Sequence, residues 1–160
     1  LHQPCSWRYI AQTGINASEL NDLLNLARFR QAGSNETTSH IVITLGVNDT
    51  TGFTRRKDWQ QQLIALVHQV QVLNPQLKVF FTQVPPMQRF PALPKPLNLL
   101  LGLRAWQLNQ SLKLVCAEYN WRFIEMELPL QPQWMAADGY HPNAEGYQLW
   151  GQSVARALVK

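Results

Sequence analysis

The chain has 160 residues, of which 46% are hydrophobic and 15% charged, with a formal net charge of +4. That length and apolar content suit one folded domain with a real core and exclude a disordered chain. The dense basic cluster Arg55-Arg56-Lys57 is too small for a nucleic-acid footprint and reads as a solvated face. The longest apolar run, Leu97 to Leu103, is broken by Asn98 and Gly102 and is too short to span a membrane.

Trp7 to Ala11 reads as a short strand ending in Gln12-Thr13-Gly14. Asn16 or Ser18 can cap a helix running to about Arg30, with Leu20, Leu23, Leu24 and Ala27 at helical spacing, before a polar loop to Ser39. His40 to Leu45 is an apolar, β-branched run that stops in Gly46-Val47-Asn48-Asp49. It fits a strand buried on both faces, as in a parallel sheet covered by helices. A second helix is expected from about Lys57 to Leu73, with Trp59, Leu63, Leu66, Val67 and Val70 on one face and Asn74-Pro75 ending it. Lys78 to Val84 is the next strand and runs into Pro85–Pro96, a stiff loop with five prolines. A third helix reaches about Tyr119 and turns Leu101, Ala105, Leu108, Leu112 and Val115 inward. Trp121 to Glu125 is the last strand. Asn143 is placed to cap a final helix, Ala144 to Leu158, with Tyr147, Trp150 and Val154 on its face.

This β-α-β-α-β-α-β-α alternation implies a single α/β domain over residues 1–160, a three-layer α/β/α arrangement with a parallel sheet and right-handed crossovers. In such sheets ligands bind beyond the carboxyl ends of the strands. Gly14, Asn48, the Pro85 loop and the Asp138/His141 stretch all follow strands, so they gather at one edge. Asp138 and His141 are three apart, and a carboxylate bonded to one imidazole nitrogen frees the other as a base. The same residues also make a plain helix-entry turn with Asn143 as the cap. The Asn48 side-chain amide and the Gly14 backbone N–H are donor types that build oxyanion holes. Met87, Phe90 and Leu93, spaced by prolines, either pack beneath the third helix or form an apolar wall for a substrate.

No cofactor is expected, because no GxGxxG or GxxxxGK[ST] run occurs. No metal is expected either, because Asp138 and His141 lack a third ligand at zinc spacing. Cys5 and Cys116 form no CxxC and read as buried thiols, with a disulfide left open.

Ala11-Gln12-Thr13-Gly14-Ile15-Asn16, Gly46-Val47-Asn48-Asp49 and Asp138-Gly139-Tyr140-His141-Pro142-Asn143, in this order, resemble three blocks of the SGNH hydrolases, also called the GDSL esterase/lipase family. The resemblance spans nearly the whole chain and implies a flavodoxin-like α/β fold. It also implies a serine ester hydrolase with a Ser-His-Asp triad. His141 would be the base, Asp138 its orienter, and Gly14 and Asn48 the oxyanion hole. One block departs: no Gly-Asp-Ser run occurs, and none of Ser6, Ser18, Ser34, Ser39, Ser111 and Ser153 follows an apolar strand in that context.

In the family the strand carrying that block lies inside the sheet, between the strands matching Trp7–Ala11 and Ile41–Leu45. The expectation is therefore a carboxylic ester hydrolase acting on a small-molecule ester, with its first strand missing and its serine on an upstream segment. The 160 residues alone are expected to show little activity. Two alternatives stay open: a non-catalytic ligand- or partner-binding domain of the same fold, and a metal-dependent hydrolase using Asp138 and His141. Leu1 is not an initiator Met and no signal peptide is visible, which leaves cytoplasm and periplasm both open.

Overall fold

The computed structural model describes residues 6–25, 38–72, 74–126 and 130–159. In chain order these form α1 (Ala17–Asn25), β1 (His40–Ile43), α2 (Val47–Thr51), α3 (Arg56–Gln71), β2 (Lys78–Thr82), α4 (Leu97–Glu118), β3 (Arg122–Ile124) and α5 (Ala144–Leu158). Single 3-10 turns occur at Met87–Arg89 and Pro132–Trp134. The three strands make one parallel sheet in the order β1-β2-β3, with Ile43 opposite Phe81 and Thr82 opposite Ile124.

The helix ends follow from their residues. Asn16 and Glu19 form a reciprocal cap on α1. The Glu19 N–H donates to Asn16 Oδ1 at 3.0 Å, and the Asn16 N–H donates to Glu19 Oε2 at 2.7 Å. Asn143 caps α5 by accepting from the Gly146 N–H at 2.9 Å. On α3 the buried positions are Trp59, Leu63, Leu66, Val67 and Val70, and on α4 Leu101, Ala105, Leu108, Leu112 and Val115 are buried with them. These side chains, with Val79 and Phe81 of β2, form one hydrophobic cluster, each large member contributing about 1.5–3 kcal/mol by leaving water. Trp59 keeps its indole N–H paired inside this core by donating to the Leu108 carbonyl at 3.3 Å.

Three expectations need correction. First, Trp7–Ala11 is not a strand: residues 6–12 are in no regular element, and Trp7 and Tyr9 are 83% and 79% exposed. A lone strand has no ladder to complete, and no described strand lies beside it. Second, β1 is not buried on both faces. Ile41 and Val42 are half-buried and only Ile43 is buried, because β1 is an edge strand among the described residues. The central strand β2 takes that role, with Val79, Phe80, Phe81 and Thr82 all buried. Third, the apolar face of α5 is only partly covered. Tyr147 is 48% exposed, Trp150 and Val154 are half-buried, and Gly146 alone of the helix is buried. The last turn expected of the first helix, with Ala27, most of the loop after Arg30, and Cys5 lie outside the described residues.

Candidate functional site

Two residue pairs sit beyond the carboxyl ends of the strands. The first is built where β1 ends. Gly46 adopts φ +111°, and a Cβ there would lie 2.3 Å from Val84 Cγ2, so only glycine fits this crossing of the β1 and β2 exits. The chain then turns at once into α2, which holds Asn48 half-buried and Asp49 buried. Asn48 Nδ2 donates to the Ile15 carbonyl at 2.9 Å, which leaves the second amide N–H without a bond. Asp49 is 1% exposed and accepts from the Ala17 N–H at 3.3 and 3.2 Å and from Thr54 Oγ1 at 3.3 Å. Two adjacent side chains thus anchor the segment that follows Gly14. Gly14 itself is exposed, at φ +80°, with open space where a side chain would stand. Desolvation of the Asp49 carboxyl raises its pKa above the ordinary 3.8, against the lowering effect of its hydrogen bonds.

The second pair lies on a tight loop closed by backbone bonds. The Ala136 N–H donates to the His141 carbonyl at 2.7 Å and the Asn143 N–H to the Trp134 carbonyl at 2.9 Å. Inside the loop, Asp138 Oδ1 accepts from the backbone N–H groups of Tyr140 and His141 at 2.9 and 3.0 Å, and Asp138 Oδ2 meets His141 Nδ1 at 2.6 Å. The His141 backbone N–H, then its ring, then the Tyr140 N–H hold the Asp138 carboxyl at a pKa of about 2. An ionised Asp138 fixes the tautomer with the proton on Nδ1, so Nε2 is the basic nitrogen. The imidazole is 68% exposed and its ring makes no other hydrogen bond among the described residues.

The loop after β2 supports this turn. Phe90 packs its ring on Tyr140 at 6.4 Å between centroids, and a Cβ on Gly139 would lie 2.9 Å from Ala92 Cβ. The Val84 backbone, where that loop begins, is clamped by Asn109, which accepts from the Val84 N–H at 2.8 Å and donates to its carbonyl at 2.9 Å.

The model of the GDSL-like lipase/acylhydrolase family matches residues 3–149. The chain belongs to this family. No curated protein sequence matches it. Among solved structures, this GDSL-like hydrolase is similar to a GDSL-like lipase from Bacteroides thetaiotaomicron at 19% identity and a TM-score of 0.66, over 90% of this chain and 71% of the other. It is similar to the psychrotrophic esterase EstA from Pseudoalteromonas sp. at 18% identity and a TM-score of 0.66, over 92% and 75%. A carbohydrate esterase family 3 protein from Talaromyces cellulolyticus aligns at 14% identity and a TM-score of 0.64, over 91% and 67%. At these identities the shared property is the fold. The family is one of esterase- and lipase-type hydrolases.

The other candidates fall away from the site of this GDSL-like hydrolase. Ser39 Oγ does bond an imidazole, His40 Nδ1 at 2.8 Å, but at the amino end of β1, the opposite edge of the sheet. Cys116 is buried, and desolvation pushes its thiol up to about 12, so it is no nucleophile at neutral pH. No three His, Cys, Asp or Glu side chains converge to hold a metal among the described residues. Likewise no described helix is long and apolar enough to cross a membrane.

Met87, Phe90 and Leu93, for which packing beneath the third helix and a substrate wall were both open, are 1%, 6% and 8% exposed and belong to the main cluster, as the packing reading expects. The prolines set the loop's path but leave these side chains pointing inward, where burial is favourable. Asp49 stood in the Gly46-Val47-Asn48-Asp49 block without a role and Asn109 went unnamed; a carboxylate beside Asn48 in the turn after β1 and a lone Asn on an inward helix face were the signals for them.

Proposed function

We propose that this chain forms most of a carboxylic ester hydrolase in which His141 is the general base, Asp138 orients it, and Gly14 and Asn48 donate to the oxyanion. The observation that carries this reading is the 2.6 Å contact between Asp138 Oδ2 and His141 Nδ1, on an exposed ring whose Nε2 is unengaged. The nucleophile is a serine supplied on a strand added at the free edge of β1. Half-buried Ile41 and Val42 on an edge strand support a further strand there, and Trp7, Tyr9 and Ile10 leave apolar surface uncovered in the segment before Gly14.

In the reaction the serine Oγ attacks the ester carbonyl while His141 Nε2 takes its proton. The tetrahedral oxyanion accepts from the Asn48 amide and the Gly14 N–H. Collapse expels the alcohol, protonated by His141, and water then hydrolyses the acyl-enzyme by the same route. His141→Ala in the complete protein should lower kcat on p-nitrophenyl esters by about 10²–10⁴, with substrate binding little changed. Near wild-type kcat in that variant removes His141 from the mechanism. The 160 residues alone are expected to bind esters without turnover.

A further inference from the structure

A helix in a soluble domain ordinarily shows water a charged face. α4 does not. Opposite its buried stripe, Leu99, Leu103, Trp106 and Leu114 are 59%, 55%, 57% and 62% exposed, and Leu100 beside them is 51% exposed. Their spacing puts Leu99, Leu103 and Trp106 on one line, with Leu114 about two turns further along, a stripe of about 22 Å at the rise of an α-helix. Five large exposed apolar side chains on one helix exceed the scatter of single exposed hydrophobics that surfaces normally carry.

The stripe opens at its amino end into a cleft of about 530 Å³, lined by Phe53, Arg55, Arg56, Leu100, Leu103 and Arg104 among others. Phe53 is 53% exposed, and three guanidinium groups rim the apolar floor. One carboxylate is near them, Asp58, which accepts from Arg55 Nε at 2.7 Å. Arg56 Nε donates to Ser111 Oγ at 3.0 Å and Arg104 donates to the Thr54 carbonyl, so both heads are held in place without losing their charge.

We propose that this face of α4 and its arginine-rimmed cleft dock the protein on an anionic lipid surface. An apolar stripe with an aromatic residue and a cationic rim is the pattern of a surface that lies in the headgroup layer, where neither apolar burial nor charge suffices alone. Charge disfavours a second copy as the occupant: a two-fold contact would bring the same three arginines of each subunit into one interface. The cleft lies at the amino ends of α3 and α4, which leave the same sheet edge that carries Asn48, so docking would bring lipid esters to that edge. Docking itself does not depend on ester hydrolysis, and binding is what the test reads.

The test is flotation with vesicles of phosphatidylcholine alone and with about 30% phosphatidylglycerol, at low and high salt, for the wild type and the variants L103S/W106S and R55A/R56A. The wild type should float with the anionic vesicles, weakly with the neutral ones, and less at high salt. L103S/W106S should lose at least about ten-fold in partitioning, and R55A/R56A about five-fold per arginine. If L103S/W106S does not fold, the arginine variant decides by the same criterion. Wild-type flotation in a folded variant of either kind, or no binding to anionic vesicles, overturns the proposal. A concentration-dependent dimer that L103S/W106S abolishes assigns the face to a second copy, and binding only to an acidic peptide assigns it to a protein partner.

Discussion

Replacing Asp49 separates the hydrogen-bonding role of its side chain from its charge. The carboxylate is 1% exposed and bonds the N–H of Ala17, itself fully buried, and the hydroxyl of Thr54. Asp49→Ala strands both donors, which costs about 1–3 kcal/mol for the unsatisfied buried groups. It also frees the start of α1 and with it the segment that places Gly14. Asp49→Asn keeps an oxygen for Ala17 and removes the charge. Because burial raises the Asp49 pKa above 3.8 in the folded chain, the folded state binds that proton more tightly than the unfolded one. The stability this group contributes is therefore fully present below pH 3.8 and is lost as pH rises through the folded value.

At pH 7 Asp49→Asn should thus cost less than about 1 kcal/mol, or stabilise, while Asp49→Ala costs about 2 kcal/mol. The asparagine variant should gain on the wild type as pH rises from 3.8 through the folded value, and the difference should then level off. Urea titrations of the three proteins at a series of pH values measure this, and exchange of the Ala17 amide reports the local opening. If the asparagine variant is as damaged as the alanine variant at every pH, the reasoning fails, because the charge would then be a net benefit.

Other perturbations probe the loops around the site. Gly46→Ala combines a left-handed backbone with a Cβ 2.3 Å from Val84 Cγ2 and should cost about 2–4 kcal/mol in urea denaturation; Val84→Ala in the same chain should recover part of it, and no recovery refutes the clash. Phe90→Ala should lower the melting temperature, and in the complete protein reduce kcat/KM equally for short and medium-chain esters, since the ring supports Tyr140 from inside the core. A selective loss on medium chains would return Phe90 to the substrate. The Asp138 carboxyl carbon should titrate near pH 2, and the stability it contributes should be present above pH 3.8 and lost as pH falls toward 2; an ordinary midpoint contradicts the His141 contact.

Helices carrying one clear stripe were legible to within a residue or two. Trp59, Leu63, Leu66, Val67 and Val70 mark α3, and Asn143 marks the start of α5. The turn chemistry of Asp138-Gly139-Tyr140-His141 was equally readable, because the contacts that form it are local. What sequence patterns did not carry is the neighbourhood of each strand. His40 to Ile43 has the composition of a central strand but stands at an edge, and Trp7 to Ala11 has that of a strand but no ladder. Burial of a strand depends on which segments flank it, information that its own residues do not hold. For the same reason Asp49 and Asn109, whose partners lie 32 and 25 residues away, were invisible as anchors. The apolar residues of the Pro85–Pro96 loop were ambiguous until Phe90 was found under Tyr140.

The central claim, that His141 activates a serine brought to this edge of the sheet, is tested most directly by reaction of the full-length natural protein with a p-nitrophenyl phosphonate, read by p-nitrophenol release and mass spectrometry. One equivalent should be released, with the adduct on a single serine in a strand that pairs with β1, and His141→Ala should slow the labelling by about 10²–10⁴. No adduct, or a serine labelled equally fast without His141, would contradict it.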